Sequence, residues 1–589
     1  MRRSSALSLV TAGLAALTFS LPVAMVSGQS PNRVEKKPAI LLCDKGTFTL
    51  KVGTATIGRE DFDIRCAPDG SATGTGHTVL GVPGLTGDFT TTIELAKDLR
   101  PRRVTVIGTS NGSPMNDTLT FAGSRATLRQ LAGTQEVPVA AGSAYVGNNV
   151  NFSLMPLLAL YDVARGGVQT FPVFPNLSAS IEALGSEAIP MSAGSSIPPL
   201  SLNRIAVQLG PTLATVWTDA DGRVATIVVP AANFVAVREE FAAMEAALRA
   251  ASARPSARTG AMLSPPDYGA PAGAPYTAEE VTVPANGYTL AGTLLIPQRA
   301  KGTQGASARV PAVITITGSG QQTRDEPLPI AGLAGYRPMR QIAEELASSG
   351  IAVLRVDDRG VGGSTGRETL RTATTSSFAD DVRAQVAFLR ARPDIAPDRI
   401  ALVGHSEGGI IAPMVAATDP RIAAIVLLAG TGKSGAETSL DQQRALLDAD
   451  TMMTVERKAA MRALQEEAIR DVRAGKDTVA GQPVVPWMRE YFTYEPLPTI
   501  RTVRQPILIL QGERDQQVPP DNARLLDRAA RESGNRDVTT RVFPTLNHLF
   551  LPSTTGAVAE YSSLTTQTLG ADLLGAMREW LRTKLRVRG

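Results

Sequence analysis

The chain has 589 residues, of which 43% are hydrophobic and 19% charged, so it exceeds a single hydrophobic core and is too apolar for broad disorder. Its formal net charge is +4 with a pI near 9.0, but the lysines and arginines are scattered rather than clustered. These values predict two or more globular domains and do not favour a nucleic-acid partner.

The N-terminus has the layout of a secretory signal peptide. Two arginines follow Met1, and an uncharged stretch ending in small residues follows them, so we expect cleavage after Gly28. The alternative is an uncleaved membrane anchor, because the stretch is long enough to span a bilayer; its serines, threonines and Pro22 weaken that alternative. The sequence therefore predicts export, to the periplasm or outside the cell, with no membrane span in the mature chain.

Residues 29–252 read mainly as short strands. Apolar and polar residues alternate over 46–66 and 102–123, and Asp219–Gly222 is a hairpin turn between two apolar runs. A helix is expected around Phe234–Ala251. This pattern predicts an antiparallel β-rich domain closed by a helix. The only two cysteines, Cys43 and Cys66, lie in it, and an oxidising compartment favours a disulfide between them over two free buried thiols.

A stretch rich in Pro, Gly and Ala, residues 253–277, is expected to be an interdomain linker. In residues 278–589, short apolar runs alternate with helical patterns, which predicts an α/β fold with a mostly parallel sheet covered by helices on both faces. A long insertion, residues 431–499, interrupts this pattern and is expected to be a helical cap. Its aromatic residues Trp487, Tyr491 and Phe492 are expected to line an apolar substrate pocket.

Three serines lie in a G-x-S-x-G pattern, which is typical of a hydrolase nucleophile turn. Ser110 lies between two strand patterns and is expected in a hairpin. Ser364 follows a strand but precedes no immediate helix. Only Ser406 has a strand pattern before it and a small-residue helix pattern after it, the arrangement that lifts a hydroxyl above a sheet. We therefore predict Ser406 as the nucleophile.

A serine needs a base, usually a histidine held by a carboxylate, and the chain has three histidines. His77 lies in the β-rich domain, and His405 is expected to point away from the adjacent serine and pack under the turn. His548, just past the last strand pattern, is the expected base. Glu513 and Asp515 both follow the strand before it, and Asp515 is favoured because it lies deeper in its loop.

The predicted oxyanion hole has two parts. One donor is expected to be the backbone N–H of Glu407, which directly follows the nucleophile. The other is expected from the glycine-rich loop after the strand pattern at 311–317, where the sequence leaves open whether Ser319, Gly320 or Gln321 contributes. A simple glycine turn is the alternative for this loop.

Five segments in this order, TGSGQQTRDE, DDRGVGGSTG, DRIALVGHSEGG, LILQGERDQQVP and the final Asn547-His548, resemble the motifs of bacterial α/β-hydrolase esterases. The resemblance covers about residues 280–589. It implies an α/β-hydrolase fold and carboxylic-ester hydrolysis with Ser406, Asp515 and His548 as the catalytic triad. Dienelactone hydrolases are related, but they use a cysteine where this chain has a serine.

Two groups of charged residues are expected to be structural. Asp358 and Arg359 are expected to form an ion pair under the site. The run Arg324–Glu326 is expected to anchor the insertion, with contact to the substrate as the alternative.

The sequence therefore predicts an exported serine hydrolase that cleaves a small-molecule ester through an acyl-enzyme intermediate. No cofactor and no metal are expected, since three scattered histidines do not make a histidine-rich metal site. The closest alternative is a serine peptidase or amidase on the same fold. A second alternative is a binding protein whose β-rich domain acts while the hydrolase domain is vestigial.

Overall fold

The computed structural model describes residues 40–587 except for 83–84, 111–112, 131–132, 141, 148–149, 175–176, 192–196, 210–211, 254–266, 299–308, 329–332, 334, 450–454 and 480–481. The expected signal peptide, residues 1–28, and most of the expected linker lie outside the described residues. The chain divides into two compact units, with the division between Pro266 and Asp267.

The first unit is a single sheet of 15 strands in the order β8-β7-β6-β5-β4-β3-β2-β1-β15-β14-β13-β12-β11-β10-β9. Its strands are β1 (Lys45–Val52), β2 (Ala55–Cys66), β3 (Ala72–Val82), β4 (Leu85–Leu95), β5 (Pro101–Ser110), β6 (Ser113–Ala122), β7 (Arg125–Gln130), β8 (Gly133–Pro138), β9 (Ala144–Tyr145), β10 (Gln169–Phe174), β11 (Leu177–Ile189), β12 (Leu200–Leu209), β13 (Thr212–Thr218), β14 (Val224–Val229) and β15 (Phe234–Arg238). Its helices are α1 (Val150–Leu158) and α2 (Glu245–Ala253).

In strands such as β5, buried and exposed side chains alternate because only one face of the sheet is packed there, whereas β13, β14 and β15 are buried on both faces. Helix α1 packs against the buried face, and its Phe152 is fully buried. A Cβ added at Gly74 or Gly76 would lie 2.7 or 2.6 Å from the Phe152 ring. Strand β3 therefore carries glycine where the ring needs the space.

The closing helix begins later than the sequence suggested. Residues Phe234–Arg238, which were expected to be helical, form β15 and pair with β1 on one side and β14 on the other. Val235 and Val237 are buried, and their β-branched side chains favour the extended conformation at this position. Pairing with the two neighbouring strands outweighs the helix-like spacing of apolar residues, which continues from this segment into α2. Cys43 and Cys66 form a disulfide with Cα atoms 5.7 Å apart.

The second unit contains a sheet of eight strands in the order β16-β17-β19-β18-β20-β21-β24-β25. Its strands are β16 (Tyr276–Pro284), β17 (Thr289–Pro297), β18 (Val310–Ile316), β19 (Ala352–Val356), β20 (Ile395–His405), β21 (Ile422–Leu428), β22 (Thr478–Val479), β23 (Gln482–Pro483), β24 (Ile507–Gly512) and β25 (Val538–Phe543), of which β22 and β23 form a separate hairpin. Its helices are α3 (Pro338–Ser348), α4 (Thr375–Ala391), α5 (Gly408–Thr418), α6 (Gly435–Ala449), α7 (Val455–Arg473), α8 (Pro486–Thr493), α9 (Pro496–Ile500), α10 (Asp521–Glu532) and α11 (Ala571–Lys584).

The two strands at the start of this sheet are antiparallel, since β16 pairs with β17 and β17 with β19 in that sense. The pairings from β19 through β18, β20, β21 and β24 to β25 are parallel. The central strands are apolar throughout because helices cover the sheet, and Val313, Leu402 and Val426 are fully buried. Within the described part of the chain, no helix combines the length and the hydropathy that crossing a bilayer requires.

The insertion between β21 and β24 contains α6 to α9 and the small hairpin. It has an interior of its own, formed by Ala436, Ile469, Val472 and Phe492. Its helices therefore pack on one another as well as on the rest of the unit.

The end of the expected linker is bound to the second unit. The Tyr268 ring lies 4.0 Å from the Arg324 guanidinium, and Arg340 donates a 3.0 Å hydrogen bond to the carbonyl of Gly269. Residues 267–275 therefore belong to this unit by their contacts, ahead of β16.

Candidate active site

The candidate residues follow four strands of the eight-stranded sheet. The glycine-rich loop follows β18, Ser406 follows β20, Asp515 follows β24, and His548 follows β25. These four strands run parallel, so their carboxyl ends lie at one edge of the sheet. This edge is where open α/β sheets bind their ligands.

Ser406 lies at a sharp turn between β20 and α5, with a backbone φ of +54°. This left-handed conformation is unusual for a residue with a side chain and is typical of a strained nucleophile turn. The Ser406 N–H donates to the carbonyl of Leu428 at 2.9 Å, which ties the turn to the neighbouring strand β21. A Cβ at Gly404 would collide with the backbone of Gly408, so glycine at 404 allows β20 and α5 to approach this closely; a Cβ at Gly408 would collide with the carbonyl of Ile316 in β18.

The other two serines in the same pattern have different surroundings. Ser110 ends β5 and pairs with Ser113 at the start of β6, which confirms the expected hairpin. The Ser364 hydroxyl accepts a hydrogen bond from the Ala291 N–H and donates one to the carbonyl of Asp357. Ser364 thus braces the loop after β19.

His548 and Asp515 are hydrogen-bonded, with 2.9 Å between Nδ1 and Oδ2, and both side chains are buried. The other oxygen of Asp515, Oδ1, accepts from the backbone N–H groups of Gln517 and Val518 at 2.9 and 2.8 Å. These bonds fix the carboxylate toward the imidazole. Glu513, the alternative carboxylate, is exposed.

The loop that carries His548 is fixed on both sides of that residue. The Asn547 side chain accepts from the N–H groups of Leu549 and Leu551, at 3.0 and 3.1 Å. The Tyr336 hydroxyl donates to the carbonyl of Leu549 at 2.7 Å. The imidazole is therefore held by its backbone as well as by Asp515.

The glycine-rich loop is held at both ends by carboxylates. The N–H of Gly318 donates to Glu326 at 2.8 Å, and the N–H of Gln322 donates to Asp358 at 2.8 Å. Burial raises the pKa of the Asp358 carboxyl to about 8, although the Gln322 N–H and the Thr317 hydroxyl donate to it. The N–H groups of Ser319, Gly320 and Gln321 lie between these two anchors, and Gly320 has a φ of +100°.

The Glu407 side chain connects the nucleophile turn to the insertion. Its buried carboxyl group accepts from the Thr375 hydroxyl at 2.7 Å and from Trp487 Nε1 at 2.8 Å. Burial raises the pKa of Glu407, against the effect of these donors. The Trp487 ring stacks on Tyr491 with centroids 5.1 Å apart. Helix α8 therefore brings both aromatic residues beside the turn that carries Ser406.

Two sequence-based expectations differ from the structure. Phe492 is buried in the insertion's own interior with Ala436, Ile469 and Val472, whereas Trp487 bonds to Glu407 beside the nucleophile turn. Arg359 does not pair with the adjacent Asp358 but donates to Asp381 at 2.8 Å and lies over the Tyr288 ring. The Asp358 carboxyl group instead accepts a hydrogen bond from the N–H of Gln322 in the glycine-rich loop. Asp358 and Arg359 therefore have different partners.

A third expectation also differs: the run Arg324–Glu326 makes buried structural contacts, but with β19, the loop after it and His405 rather than with the insertion. Arg324 pairs with Asp357 at 3.0 Å, and Asp325 pairs with Arg355. Glu326 accepts from the ring of His405, at 2.8 Å, which the sequence did not indicate because the two residues lie 79 positions apart. His405 is buried under the nucleophile turn, as the sequence suggested.

Two of the three histidines, His405 and His548, lie together at the sheet edge, with ring centroids 4.9 Å apart. His77 lies on β3 of the first unit and contacts Asp88. Among the described residues, no group of three or more histidine, cysteine, aspartate or glutamate side chains is arranged to bind a metal ion.

The sheet topology and the turn at Ser406 are those of the α/β-hydrolase fold. Residues 336–553 match the model of a family described as serine aminopeptidase, S33. The matched segment contains Ser406, Asp515 and His548 and supports hydrolase chemistry for this unit.

Curated relatives match parts of the chain. An uncharacterized peptidase, YtmA, of Bacillus subtilis strain 168 is 26% identical over 224 residues, which cover 38% of this chain and 74% of the relative. The uncharacterized protein Rv2307c of Mycobacterium tuberculosis strain H37Rv is 39% identical over 97 residues, 16% of this chain and 32% of that protein.

Solved structures align with about half of the chain. Est1E from Butyrivibrio proteoclasticus, with ferulic acid bound, is 17% identical with a TM-score of 0.35, covering 52% of this chain and 99% of that one. The esterase Pf2001 of Pyrococcus furiosus is 15% identical with a TM-score of 0.33, covering 53% of this chain and 93% of that one.

Proposed function

We propose that the protein is an exported serine hydrolase that cleaves carboxylic esters with Ser406 as nucleophile, His548 as base and Asp515 as the carboxylate that orients the base. The bond between His548 and Asp515 carries this proposal, because it lies at the same sheet edge as the strained turn of Ser406. The buried His405, next to Ser406 in sequence, also contacts the backbone of His548 at 3.1 Å, which supports closeness of the two loops.

The geometry suits acyl transfer. Nδ1–H of His548 donates to Asp515, so the lone pair of Nε2 is free to accept the proton of the Ser406 hydroxyl. Ser406 then attacks the ester carbonyl, and the resulting oxyanion is held by the N–H of Glu407 and by an N–H from Ser319, Gly320 or Gln321. The alcohol leaves with the proton from His548, and water releases the acid through the same base.

Replacement of Ser406 is the direct test of this proposal. Ser406→Ala should lower kcat on p-nitrophenyl acetate by about 10⁴-fold or more, because the nucleophile is lost while the rest of the site remains. Ser110→Ala is the matched control, since Ser110 lies in the same five-residue pattern but in a hairpin of the first unit. It should keep kcat within about 2-fold of the wild type. Turnover by Ser406→Ala at the wild-type rate would refute the assignment.

Amide hydrolysis is the second candidate activity. The matched family is described as serine aminopeptidases, and the Bacillus relative is named a peptidase. Esters and amides share the triad chemistry, so the two activities differ in the pocket and in the leaving group. Comparing kcat/KM on p-nitrophenyl esters and on aminoacyl p-nitroanilides decides between them. A higher value on the anilides would replace the esterase proposal by a peptidase.

The disulfide in the first unit supports export, because such bonds persist in oxidising compartments. N-terminal sequencing of the exported protein tests this part of the proposal. We expect the mature chain to begin directly after Gly28. Recovery of the uncleaved chain in the membrane fraction would favour the anchor instead.

A further inference from the structure

A second pair of imidazole and carboxylate lies beside the proposed triad. His405 Nδ1 is 2.8 Å from Glu326 Oε1, and both side chains are buried. The His405 ring lies against the ring of His548, with centroids 4.9 Å apart. The mechanism above assigns no role to this pair.

Both nitrogens of the His405 ring face acceptors. Nδ1 faces the Glu326 carboxylate, and Nε2 lies 3.1 Å from the carbonyl oxygen of His548. A carbonyl oxygen accepts hydrogen bonds but never donates one, so Nε2 must carry hydrogen. A carboxylate at Nδ1 favours a second hydrogen there, and an imidazole with both hydrogens is a cation.

The charges around the ring favour this cation. Burial lowers the pKa of His405, but the Glu326 carboxylate and its other polar neighbours together raise the pKa above its ordinary value. The His548 carbonyl and the Asp515 carboxylate act in the same direction. The other ionisable groups that face this region are His548 itself and, next to Glu326, the side chains of Tyr336 and Asp358.

The pair connects three loops of the proposed site. Glu326 Oε1 accepts from the Gly318 N–H at 2.8 Å as well as from His405. Gly318 lies directly against Ser406, since a Cβ added at this glycine would be 3.2 Å from the serine Cβ. Through His405, the same carboxylate reaches the backbone of His548. One buried ion pair thus links the loop after β18, the nucleophile turn and the histidine loop.

Glu326 has a φ of +54°, a left-handed conformation that a residue with a side chain adopts only when its surroundings hold it there. The two hydrogen bonds to Oε1 are such surroundings, while its other oxygen has no partner among the described residues. This backbone aims the carboxylate at Gly318 and His405.

We propose that His405 is a positioning residue, held as an imidazolium by Glu326, which aligns the loop of Gly318, Ser406 and His548 for the reaction. This inference rests on the proposed serine-hydrolase function. It predicts that loss of the charge on the pair misaligns the nucleophile and the base without removing either.

The charge of His405 is measured by NMR. The chain has three histidines, so protein labelled with ¹⁵N in histidine gives few imidazole signals, and His405→Asn and His548→Asn assign them. We expect the wild-type His405 ring to carry hydrogen on both nitrogens at pH 7. In Glu326→Gln the ring should become neutral at this pH. A neutral His405 ring in the wild-type protein would overturn the proposal.

Kinetics separate positioning from folding. Glu326→Gln should lower kcat on p-nitrophenyl acetate by about 10-fold or more and change KM by less than about 3-fold, since alignment rather than binding is disturbed. The double variant Glu326→Gln/His405→Asn should be no slower than the slower single variant, within about 3-fold, because the two residues act as one unit. Multiplied effects in the double variant would contradict a shared role.

Asp381→Asn is the control for loss of a buried carboxylate. Asp381 lies on α4 and accepts hydrogen bonds from Arg359, after β19, and from Tyr288, before β17; neither bond involves the three loops. It should lower Tm yet keep kcat of the folded protein within about 2-fold. Wild-type kcat in Glu326→Gln would refute the inference. If that variant does not fold, the wild-type spectrum still decides the charge, and kcat of His405→Asn decides the effect of the ring.

The same experiments distinguish failure of the inference from failure of the proposed function. A wild-type protein that cleaves no ester but reacts with a fluorophosphonate probe is still a serine hydrolase, and the labelling rate of Glu326→Gln then replaces kcat. A wild-type protein that does not react with the probe refutes the function itself. In that case the positioning role is refuted as well. If His405 is nevertheless cationic, its ion pair with Glu326 has no role in catalysis.

Discussion

Trp487 is the residue of the insertion that bonds directly to the nucleophile turn, through the 2.8 Å contact of its Nε1 with Glu407. Trp487→Phe keeps an aromatic ring to stack on Tyr491 but removes the donor. We expect the free energy of unfolding to fall by about 1.5–3 kcal/mol, because a buried carboxyl group loses one of its donors. KM should also rise by about 3-fold or more, since α8 is held less firmly beside the site. Urea unfolding and steady-state kinetics measure both.

Trp580 provides the matched control for this substitution. Its Nε1 is buried and has no hydrogen-bond partner among the described residues, so Trp580→Phe removes a donor that bonds to nothing. This variant should be as stable as the wild type or slightly more stable. Equal losses of stability in the two variants would show that ring size, rather than the bond to Glu407, explains the effect.

Also at the residue scale, the sequence predicted those site residues that can be recognised from the segments directly around them. The turn of Ser406 was recognisable because a strand, a small-residue turn and a helix are contiguous there. Asp515 and His548 were recognisable by their positions after the last two strands. The bond between Glu326 and His405 was not, because it joins residues far apart in the chain with no shared pattern. The expected pair of Asp358 and Arg359 failed because Asp358 is bonded to the glycine-rich loop and Arg359 to Asp381 on α4.

At the scale of elements, Glu60 on β2 accepts a hydrogen bond from the N–H of Phe152, in the first turn of α1, at 2.7 Å. Burial raises the pKa of Glu60 to about 7 from an ordinary value of 4.5, although the Phe152 N–H and the Thr78 hydroxyl lower it. The folded protein therefore binds this proton more tightly than the unfolded chain does. The resulting stabilisation is complete below about pH 4.5 and is lost as the pH rises through about 7.

Glu60→Gln should remove this pH dependence, because the amide stays neutral at every pH. Between pH 4.5 and 8, the Tm of the first unit should fall by about 6 °C less in the variant than in the wild type. Differential scanning calorimetry measures the slope. Glu94→Gln, at an exposed position of β4, should reproduce the wild-type slope. The same slope in Glu60→Gln and in the wild type would contradict the assignment.

The disulfide joins the segment before β1 to the end of β2, closing a loop of 23 residues. Cys43→Ser/Cys66→Ser should lower the free energy of unfolding of the first unit by about 3 kcal/mol, because the unfolded chain regains the freedom of that loop. Denaturation in urea, followed for each unit, measures the loss. Reduction of the wild-type protein should produce the same loss, and the second unit should unfold as before in both cases.

The parallel strands of the second unit, β18 to β21, β24 and β25, were predictable because they are short apolar runs, most of them separated by helical patterns. Strand β15 was not, because Phe234–Arg238 continue with a spacing of apolar residues that also suits a helix. Its extended form depends on pairing with β1, a strand nearly 190 residues earlier in the chain. Such long-range pairing decides between helix and strand where local preference is weak.

At the scale of the whole molecule, all the residues proposed for catalysis lie in the second unit. A protein consisting of Asp267–Gly589 should therefore fold by itself and hydrolyse p-nitrophenyl acetate with kcat within about 3-fold of the full chain. Size-exclusion chromatography and kinetics test this. An insoluble or inactive fragment would show that the first unit is needed for folding or for catalysis. A changed preference among esters of different chain length would assign it a role in substrate selection.

A shorter fragment, Tyr276–Gly589, is the matched comparison. It lacks the Tyr268 ring that lies against Arg324 and the carbonyl groups that bind Arg340. Its Tm should be lower than that of the longer fragment by about 2 °C or more, because the cation–π contact of the buried Arg324 is lost. Equal Tm values would indicate that residues 267–275 serve only as a connection.

The insertion leaves the sheet after β21 and returns at β24, the strand that pairs with β21, and it packs around an interior of its own. Evolution can therefore exchange this segment for another without disturbing the strands that carry the reacting groups. The same catalytic residues can in this way act on many different substrates. Anyone who wishes to redirect the enzyme to a new compound should begin by recombining residues 431–499 from diverse homologues, leaving the sheet as it stands.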